Sequence, residues 1–322
     1  MSRTTLVIPN INGTEYIENC LDSVFASDVE VSVIVVDNGS TDGSVDIIKE
    51  KYPQVDLICH AENTGFCKAT NEGAVKAETE FVMFLNNDTV IKEDAVRILE
   101  ESMDAHPEAF SIQALMLSLK EPEIIDSAGD EYCALGWAFA RKKGKNVSKL
   151  GQRDRLFNVF SGCGGACLYR KSVLDEIGVL DENHFAYLED VDLGYRALIY
   201  GYKNYCAKNA VVYHAGSAFS GSRHNSFKVN LSSRNSIYLI YKNMPILQKI
   251  INLPFLLIGY LIKIAFFTLK GLGGTYVKGV FTGVKMSFGR ETTPNRVKFR
   301  FKNLGNYFLI QFRLWINIFK RF

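Results

Sequence analysis

The sequence predicts an α/β fold, a mostly parallel sheet flanked by helices with a hydrophobic, basic helical tail behind it. Three observations carry this expectation. Four continuous apolar runs alternate with stretches of helical period over the first hundred residues, each run stops at a polar cluster, and the charge changes sign near residue 241. At 322 residues, 47% hydrophobic and 22% charged, the chain can bury one large core or two smaller ones.

The runs are read in order. "TTLVIP" leads into "EYIENCLDSVFAS", "VSVIVVD" into "GSVDIIKEKY", "VDLICH" into "GFCKATNEGAVKA", and "EFVMFLNND" into "EDAVRILEESMDAH". Continuous β-branched runs describe strands covered on both faces, and the 3.6-residue period between them describes crossover helices. Ligands of such sheets bind beyond the carboxyl ends of the strands. Those ends are Pro9-Asn10, Asp37-Asn38-Gly39-Ser40, Asn63-Thr64-Gly65 and Asn86-Asn87-Asp88. Any one of them fits a helix cap or a turn; four together point to a binding site, in which Asp37 can accept hydrogen bonds from a base or ribose. No G-x-G-x-x-G follows the first strand and no Walker lysine motif occurs, which argues against dinucleotide binding and ATP hydrolysis.

Further along, "HFAYLEDVDLGYRALIYGY" places Glu189, Asp190 and Asp192 at the start of a helix-like stretch. Helix capping explains one or two such acids. The cluster also follows "GCGGACLYR", a strand flanked by glycines where a backbone can approach a sugar closely. His214 ends another apolar run, "NAVVYH". The seven cysteines lack paired metal-ligand spacing, which predicts free thiols in a reduced compartment.

The net charge of +2 hides an asymmetry: from Lys242 onward there are 14 Lys and Arg against one acid, Glu291, leaving 23 basic and 34 acidic residues before it. A basic tail implies an anionic partner, and the tail is too apolar for nucleic acid, so a membrane surface is expected. "INLPFLLIGYLIKIAFFTLK" (251–270) approaches spanning length but contains Asn252, Pro254 and a central Lys263. A lysine near the bilayer centre costs roughly 2.5–3.5 kcal/mol, so shallow or re-entrant association is preferred to a span. "YFLIQFRLWINIFKRF" reads as an interfacial helix. A buried appendage or an oligomer contact is the alternative. "MSRTTLVIPN" enters a strand-like run directly, which predicts no signal peptide and a catalytic part on the cytoplasmic face of the cell membrane.

The runs "VIPNING", "VIVVDNGSTDGS", "ENTGFCKATNEGA", "FLNNDT", "GCGGACLYRKSVLDEIGVLDENHFAYLEDVDLGYRALIYGY" and "VVYHAGSAFS" together resemble an inverting family 2 glycosyltransferase of the type A fold, whose sheet is Rossmann-like. With "SSRNSIYLIYKNMP" and the tail added, the chain is most similar to bacterial rhamnosyltransferases of cell-surface polysaccharide assembly. The resemblance implies a catalytic domain at 1–240, with a nucleotide half at 1–106 and an acceptor half at 107–240, followed by a membrane-associating region at 241–322. It implies that Pro9, Asn10 and Asp37 hold the nucleoside, that Asn63, Gly65 and Lys68 lie near ribose or diphosphate, and that Asn87 approaches the ribose. Asp88 would be the surviving carboxylate of the family's Asp-x-Asp metal motif, with Asn86 in place of the first Asp. His214 would complete the shell of a Mn²⁺ or Mg²⁺ ion whose remaining ligands are donor diphosphate oxygens and water.

Inversion needs an ionised base within reach of the acceptor hydroxyl, and the resemblance gives that role to Asp190, with Glu189, Asp192 and Gly165 at the acceptor site. The expected partners are a nucleotide-diphosphate sugar, dTDP-rhamnose among the candidates, and a glycan or lipid-linked glycan acceptor. The Gln-x-x-Arg-Trp run of processive synthases is absent, which predicts addition of one or a few sugars. "SGSRHNSFKVNLSSRN" (220–235) reads as a polar, basic loop over the phosphates, with Arg223, Lys228 and Arg234 as contacts, or as a solvated linker. A metal-dependent nucleotidyltransferase and a catalytically silent nucleotide-sugar-binding protein are the competing readings. The first wants a basic phosphate loop near the first strand, and "PNINGTEYIEN" has no Lys or Arg; the second rests on Asn86.

Overall fold

The apolar runs become β1 (Thr4–Asn10), β2 (Val31–Asp37), β3 (Asp56–Cys59) and β4 (Phe81–Leu85), joined by α1 (Ile17–Phe25), α2 (Ser44–Lys51) and α3 (Phe66–Lys76). The computed structural model describes residues 2–151, 155–216, 225–289 and 292–321. After β4 come β5 (Thr89–Ile91), α4 (Ala95–Ala105), β6 (Ala109–Ser118), β7 (Ile125–Ser127) and the hairpin of β8 (Asp130–Cys133) and β9 (Trp137–Ala140). Then follow β10 (Leu156–Val159), β11 (Ala166–Arg170), α5 (Lys171–Ile177), α6 (Glu189–Tyr200), β12 (Lys203–His214) and four long helices, α7 (Ser226–Asn243), α8 (Ile246–Leu269), α9 (Gly273–Ser287) and α10 (Leu304–Arg321).

Strands β3, β2, β1 and β4 lie side by side and parallel, as the crossover helices require. The sheet continues through β11, antiparallel to both neighbours, to β6, the parallel β12 and the antiparallel β10. The first strands read as unbroken apolar runs because each face has its own core. Leu6, Ile8, Met83 and Leu85 pack with α1 and α4 on one face, whereas Val7, Val82 and Phe84 pack with α3 and α5 on the other. Full burial of each such side chain stabilises by about 1.5–3 kcal/mol relative to leaving it exposed.

Register, rather than any single element, builds the site. Asn10 pairs with Asp37 across β1 and β2, and Val7 with Phe84 across β1 and β4, so the polar strand ends stand level. On the far side, β5 runs antiparallel to β12 with Thr89 opposite His214, which sets Asp88 beside that histidine. The helix α7 runs across the 240/241 boundary expected between catalytic domain and tail. Its C-terminal successors dock on the β8–β9 hairpin: the Ala134 amide donates to the Leu314 carbonyl, and Asn317 Nδ2 to the Tyr132 carbonyl.

Candidate active site

A cleft of about 530 Å³ opens at the carboxyl ends of the strands, and Pro9, Asn63, Asn87, Asp88, Gly165, Glu189, Asp190 and His214 all line it. Its floor is a network of short polar side chains. Asn10 Nδ2 donates to Asp37 Oδ1 (2.8 Å) and to Ser44 Oγ (3.0 Å), while Asn87 Nδ2 donates to Asn10 Oδ1 (2.7 Å). The Asn10–Asn87 bond leaves no room for a larger residue at Gly13, whose Cβ would stand 2.2 Å from Asn10 Oδ1 and 2.4 Å from Asn87 Nδ2.

Asp37 is 2% exposed, and its oxygens are taken up locally. Oδ1 accepts from Asn10 and from Ser40 Oγ; Oδ2 accepts from the Gly39 and Ser40 amides. Asp37, expected at the nucleoside, braces the β2 turn and lies behind the residues that line the cleft. Asn10, fully buried, likewise braces the strand ends. Lys68 is exposed on α3 and does not line the cleft, because the helix turns it away. Gly65 is buried at φ +94°, and a Cβ there would lie 2.6 Å from the Phe185 ring; it lets Phe185 close one wall.

At one end of the cleft His214 lies between two carboxylates. Its Nε2 is 3.1 Å from Asp88 Oδ1 and its Nδ1 is 2.9 Å from Asp126 Oδ2. Burial lowers the pKa of the imidazole, but hydrogen bonds to Asp126 and Asp88 outweigh it and push the group up to about 9. Burial raises Asp126, and its bonds with His214 and Lys143 outweigh that and hold it near 2. A carboxylate oxygen and an imidazole nitrogen at the cleft wall suit a hard or borderline cation such as Mn²⁺ or Mg²⁺. Asp126, bonded to Nδ1, fixes the orientation of the imidazole ring. Asp126 was not found from sequence, since nothing in local spacing links residues 88 positions apart.

The start of α6 lines the same cleft. Asp190 Oδ1 accepts from the Val191 amide (2.7 Å), and burial raises its pKa against that bond and one from the Gly164 amide. Beside it stands Asp130 of β8; the nearest ligand atoms of Asp130, Asp190 and Cys163 lie within 4.8 Å of one another. Burial, then the neighbouring Asp190 charge, push the Asp130 carboxyl well up. Burial and Asp190 push Glu189 up as well, and its buried Oε2 has no hydrogen-bond partner among the described residues. An orphaned oxygen at a cleft wall is available to a ligand.

The turn that delivers these acids is strained. Phe185, Tyr187 and Leu188 have φ of 63°, 72° and 69°, which non-glycine residues rarely adopt. Asn235 of α7 holds the turn: its Nδ2 lies within hydrogen-bond distance of the carbonyls of His184 (2.9 Å), Ala186 (2.9 Å) and Tyr187 (2.7 Å). Arg234 Nη2 donates to the Asn183 (3.0 Å) and His184 (2.8 Å) carbonyls, so it braces the same turn and does not face phosphates. Residues 226–235 are helix, not loop; Lys228 lines the cleft, and Arg223 lies outside the described residues.

Asp192 was expected to position either the acceptor or the helix, and its surroundings are those of a helix brace. It is wholly buried on the opposite face of α6, bonded to Lys242 Nζ (2.8 Å), Arg196 Nε (3.0 Å) and Asn243 Nδ2 (2.7 Å). Lys242 also reaches Asp181 Oδ2 at 2.8 Å. This is an ion cluster that ties α6 to α7.

Comparison with known proteins agrees with this geometry. Residues 5–178 match the model of glycosyl transferase family 2. An N-acetylglucosaminyl-diphospho-decaprenol L-rhamnosyltransferase of Mycobacterium tuberculosis is 25% identical over 69% of this chain and 81% of its own length. A poly-beta-1,6-N-acetyl-D-glucosamine synthase of Staphylococcus epidermidis is 26% identical over 60% of this chain and 45% of its own. Among solved structures, S. aureus TarS 1–349 in complex with UDP-GlcNAc superposes with a TM-score of 0.60 at 18% identity, covering 97% of this chain and 90% of that one. The mannosyltransferase PcManGT of Pyrobaculum calidifontis, in complex with GDP-Man and Mn²⁺, gives 0.56 at 15% identity, covering 96% and 87%. The two structures share the fold, the type A α/β arrangement described above. With the family model matching more than half of its length, the chain belongs to glycosyl transferase family 2.

Proposed function

We propose that this glycosyltransferase moves a sugar, with inversion, from a nucleoside-diphosphate donor to a hydroxyl of a lipid-linked glycan in cell-surface polysaccharide assembly. The observation that carries the reading is that Asp190 and the Asp88–His214 pair line one and the same cleft. Asp190 takes the proton of the acceptor hydroxyl as its oxygen bonds the anomeric carbon. The bond from that carbon to the diphosphate breaks, and the diphosphate leaves with the electron pair. A base with a pKa raised toward neutrality is suited to this proton. Glu189 offers its unpartnered oxygen to the acceptor, and Gly165 leaves the backbone open beside it.

Asp88 and His214 would hold Mn²⁺ or Mg²⁺, which supplies positive charge beside the departing diphosphate. With Asn86 contributing at best an amide, one carboxylate and one imidazole make a weak site that the donor's own oxygens complete. Manganese should bind weakly to the free protein and much more tightly with a nucleoside diphosphate present, and His214→Ala should abolish the difference. Tight binding of Mn²⁺ to the free protein would overturn that reading.

The name of the mycobacterial relative supports a deoxysugar donor of the rhamnose type, dTDP-rhamnose first, and a diphosphate-linked lipid acceptor. Absence of the Gln-x-x-Arg-Trp run supports addition of one or a few sugars. A panel of nucleotide sugars with a polyprenyl-diphosphate-linked N-acetylglucosamine acceptor, read by nucleotide release, tests the whole reading. Acceptor-dependent release should occur with one donor and vanish in Asp190→Asn; no release with any donor would sink it. Such an enzyme works at the cytoplasmic face of the membrane, where both substrates meet.

A further inference from the structure

Helix α8 is long and apolar enough to cross a bilayer, yet it is fastened lengthwise to the catalytic domain. Gln248 Oε1 accepts from Tyr195 Oη (2.9 Å) and its Nε2 donates to the Tyr307 carbonyl (2.9 Å). One turn on, Asn252 and Gln311 exchange two hydrogen bonds of 2.9 and 2.8 Å. Two turns further, Trp137 Nε1 donates to the Gly259 carbonyl (3.1 Å), and the helix presses so close that a Cβ at Gly259 would stand 2.1 Å from the Leu135 carbonyl oxygen. Lys263, which argued against insertion, is on this same inner stripe with its nitrogen 5.4 Å from the Trp137 ring centre. A span would carry these buried amides, or the domain bonded to them, into hydrocarbon that cannot replace the bonds.

The outer stripe is apolar and open. Ile250, Leu253, Leu257 and Leu261 are 62%, 53%, 57% and 66% exposed. Helix α10 repeats the pattern, with Phe308, Phe312 and Phe319 exposed while Tyr307, Ile310 and Leu314 are buried. The two open faces adjoin: a groove of about 840 Å³ runs between Ile246 and Leu247 of α8 and Leu304 and Phe308 of α10, with Arg296 and Lys298 among its walls. A contiguous apolar face of this extent marks an interaction surface. Its charge selects the partner. Lys242, Arg313 and Lys320 pair with buried acids, but the other cations of this segment face a single acid in sequence, Glu291. A second copy would bring the same positive charge to the interface; an anionic lipid headgroup layer complements it.

We propose that α8 and α10 form one platform that lies in the plane of an anionic lipid leaflet, without spanning it. The β8–β9 hairpin connects platform and cleft: Trp137 rests on α8, while Asp130 and Ala138–Ala140 line the cleft. Resting on the function proposed above, this lets an acceptor keep its lipid in the leaflet while its sugar reaches Asp190. The platform itself does not depend on that function.

Flotation of the full-length protein with vesicles of phosphatidylcholine, alone or with about 30 mol % phosphatidylglycerol, tests it. Binding to the anionic vesicles, weakened by salt, is expected. The double variant Leu257→Asp/Phe312→Asp should lower vesicle partition at least about tenfold while nucleoside-diphosphate affinity, read by titration calorimetry, stays unchanged. A protein that binds nucleotide but ignores both vesicles overturns the platform and leaves the enzymatic reading standing. Retention in native membranes through alkaline carbonate washing overturns it in favour of a span. Dimers that the double variant dissociates, without vesicle binding, overturn it in favour of a second copy. Vesicle binding by a protein with no transfer activity supports the platform and counts against the enzymatic reading alone.

Discussion

The first turn of α6 presents two faces, and two aspartates two positions apart meet opposite surroundings on them. Asp190 faces the cleft, where burial outweighs the hydrogen bonds that favour its charged form, and its pKa rises. Asp192 faces the core, where burial is outweighed by Lys242 and Arg196, and its pKa falls. The same side chain is thus made easier to protonate on one face and harder on the other. Role follows from the neighbouring charge, not from residue type.

Substitutions on the two faces should fail in different ways. Asp190→Asn should reduce turnover by about 10²–10⁴-fold with nucleoside-diphosphate affinity and melting temperature kept; equal loss of folding would erase the distinction. On the core face, Lys242→Met strands two buried carboxylates, Asp181 and Asp192, and should cost about 3–5 kcal/mol of stability by urea unfolding. Adding Asp192→Asn should recover part of that loss.

A smaller effect is expected where the two faces are joined. Asn235→Ala frees the strained turn before α6 and should lower kcat by about 10–100-fold through misplacement of Asp190, with KM for the donor little changed. Changed donor KM with constant kcat would assign Asn235 to the nucleotide side instead.

Two pH profiles give the finest comparison. The hydrogen bond with Asp130 opposes the rise of Asp190; Asp130→Ala should therefore move the acid limb of kcat to higher pH, and Asp130→Asn, which can still donate, should move it less. For stability the sign is opposite. Asp181 and Asp192 have folded pKa values below their unfolded ones, so their contribution is complete above the ordinary carboxylate pKa of about 4 and is lost as pH falls below it. Acid unfolding monitored by circular dichroism should begin below that value and shift to higher pH when the Lys242 partner is removed.

Much of the fold was legible because its causes are local. Unbroken apolar runs and helical periods in the first hundred residues suffice for β1 to β4 and α1 to α4, though not for the short β5 between them, since strands covered on both faces admit no alternation. Asp88, Asp190 and His214 were legible as polar residues ending apolar runs or opening a helix. Asp126 and Asp130 were not, because "IDSAGDEY" carries no period that marks it. They matter only through what β7 and β8 bring beside His214 and Asp190.

By itself, then, the sequence determined the α/β class, the polar strand ends, the acidic helix start and the basic apolar tail, all set by short-range propensity and hydrophobic period. Tertiary structure decided the rest. Strand register put Asp88 against His214, the packing of α7 turned Asp192 and Arg234 into braces, and the docking of α8 made a helix of spanning length lie along the protein. These outcomes depend on contacts between residues far apart in the chain, where the energy of a buried charge or amide is set by the partner that folding delivers.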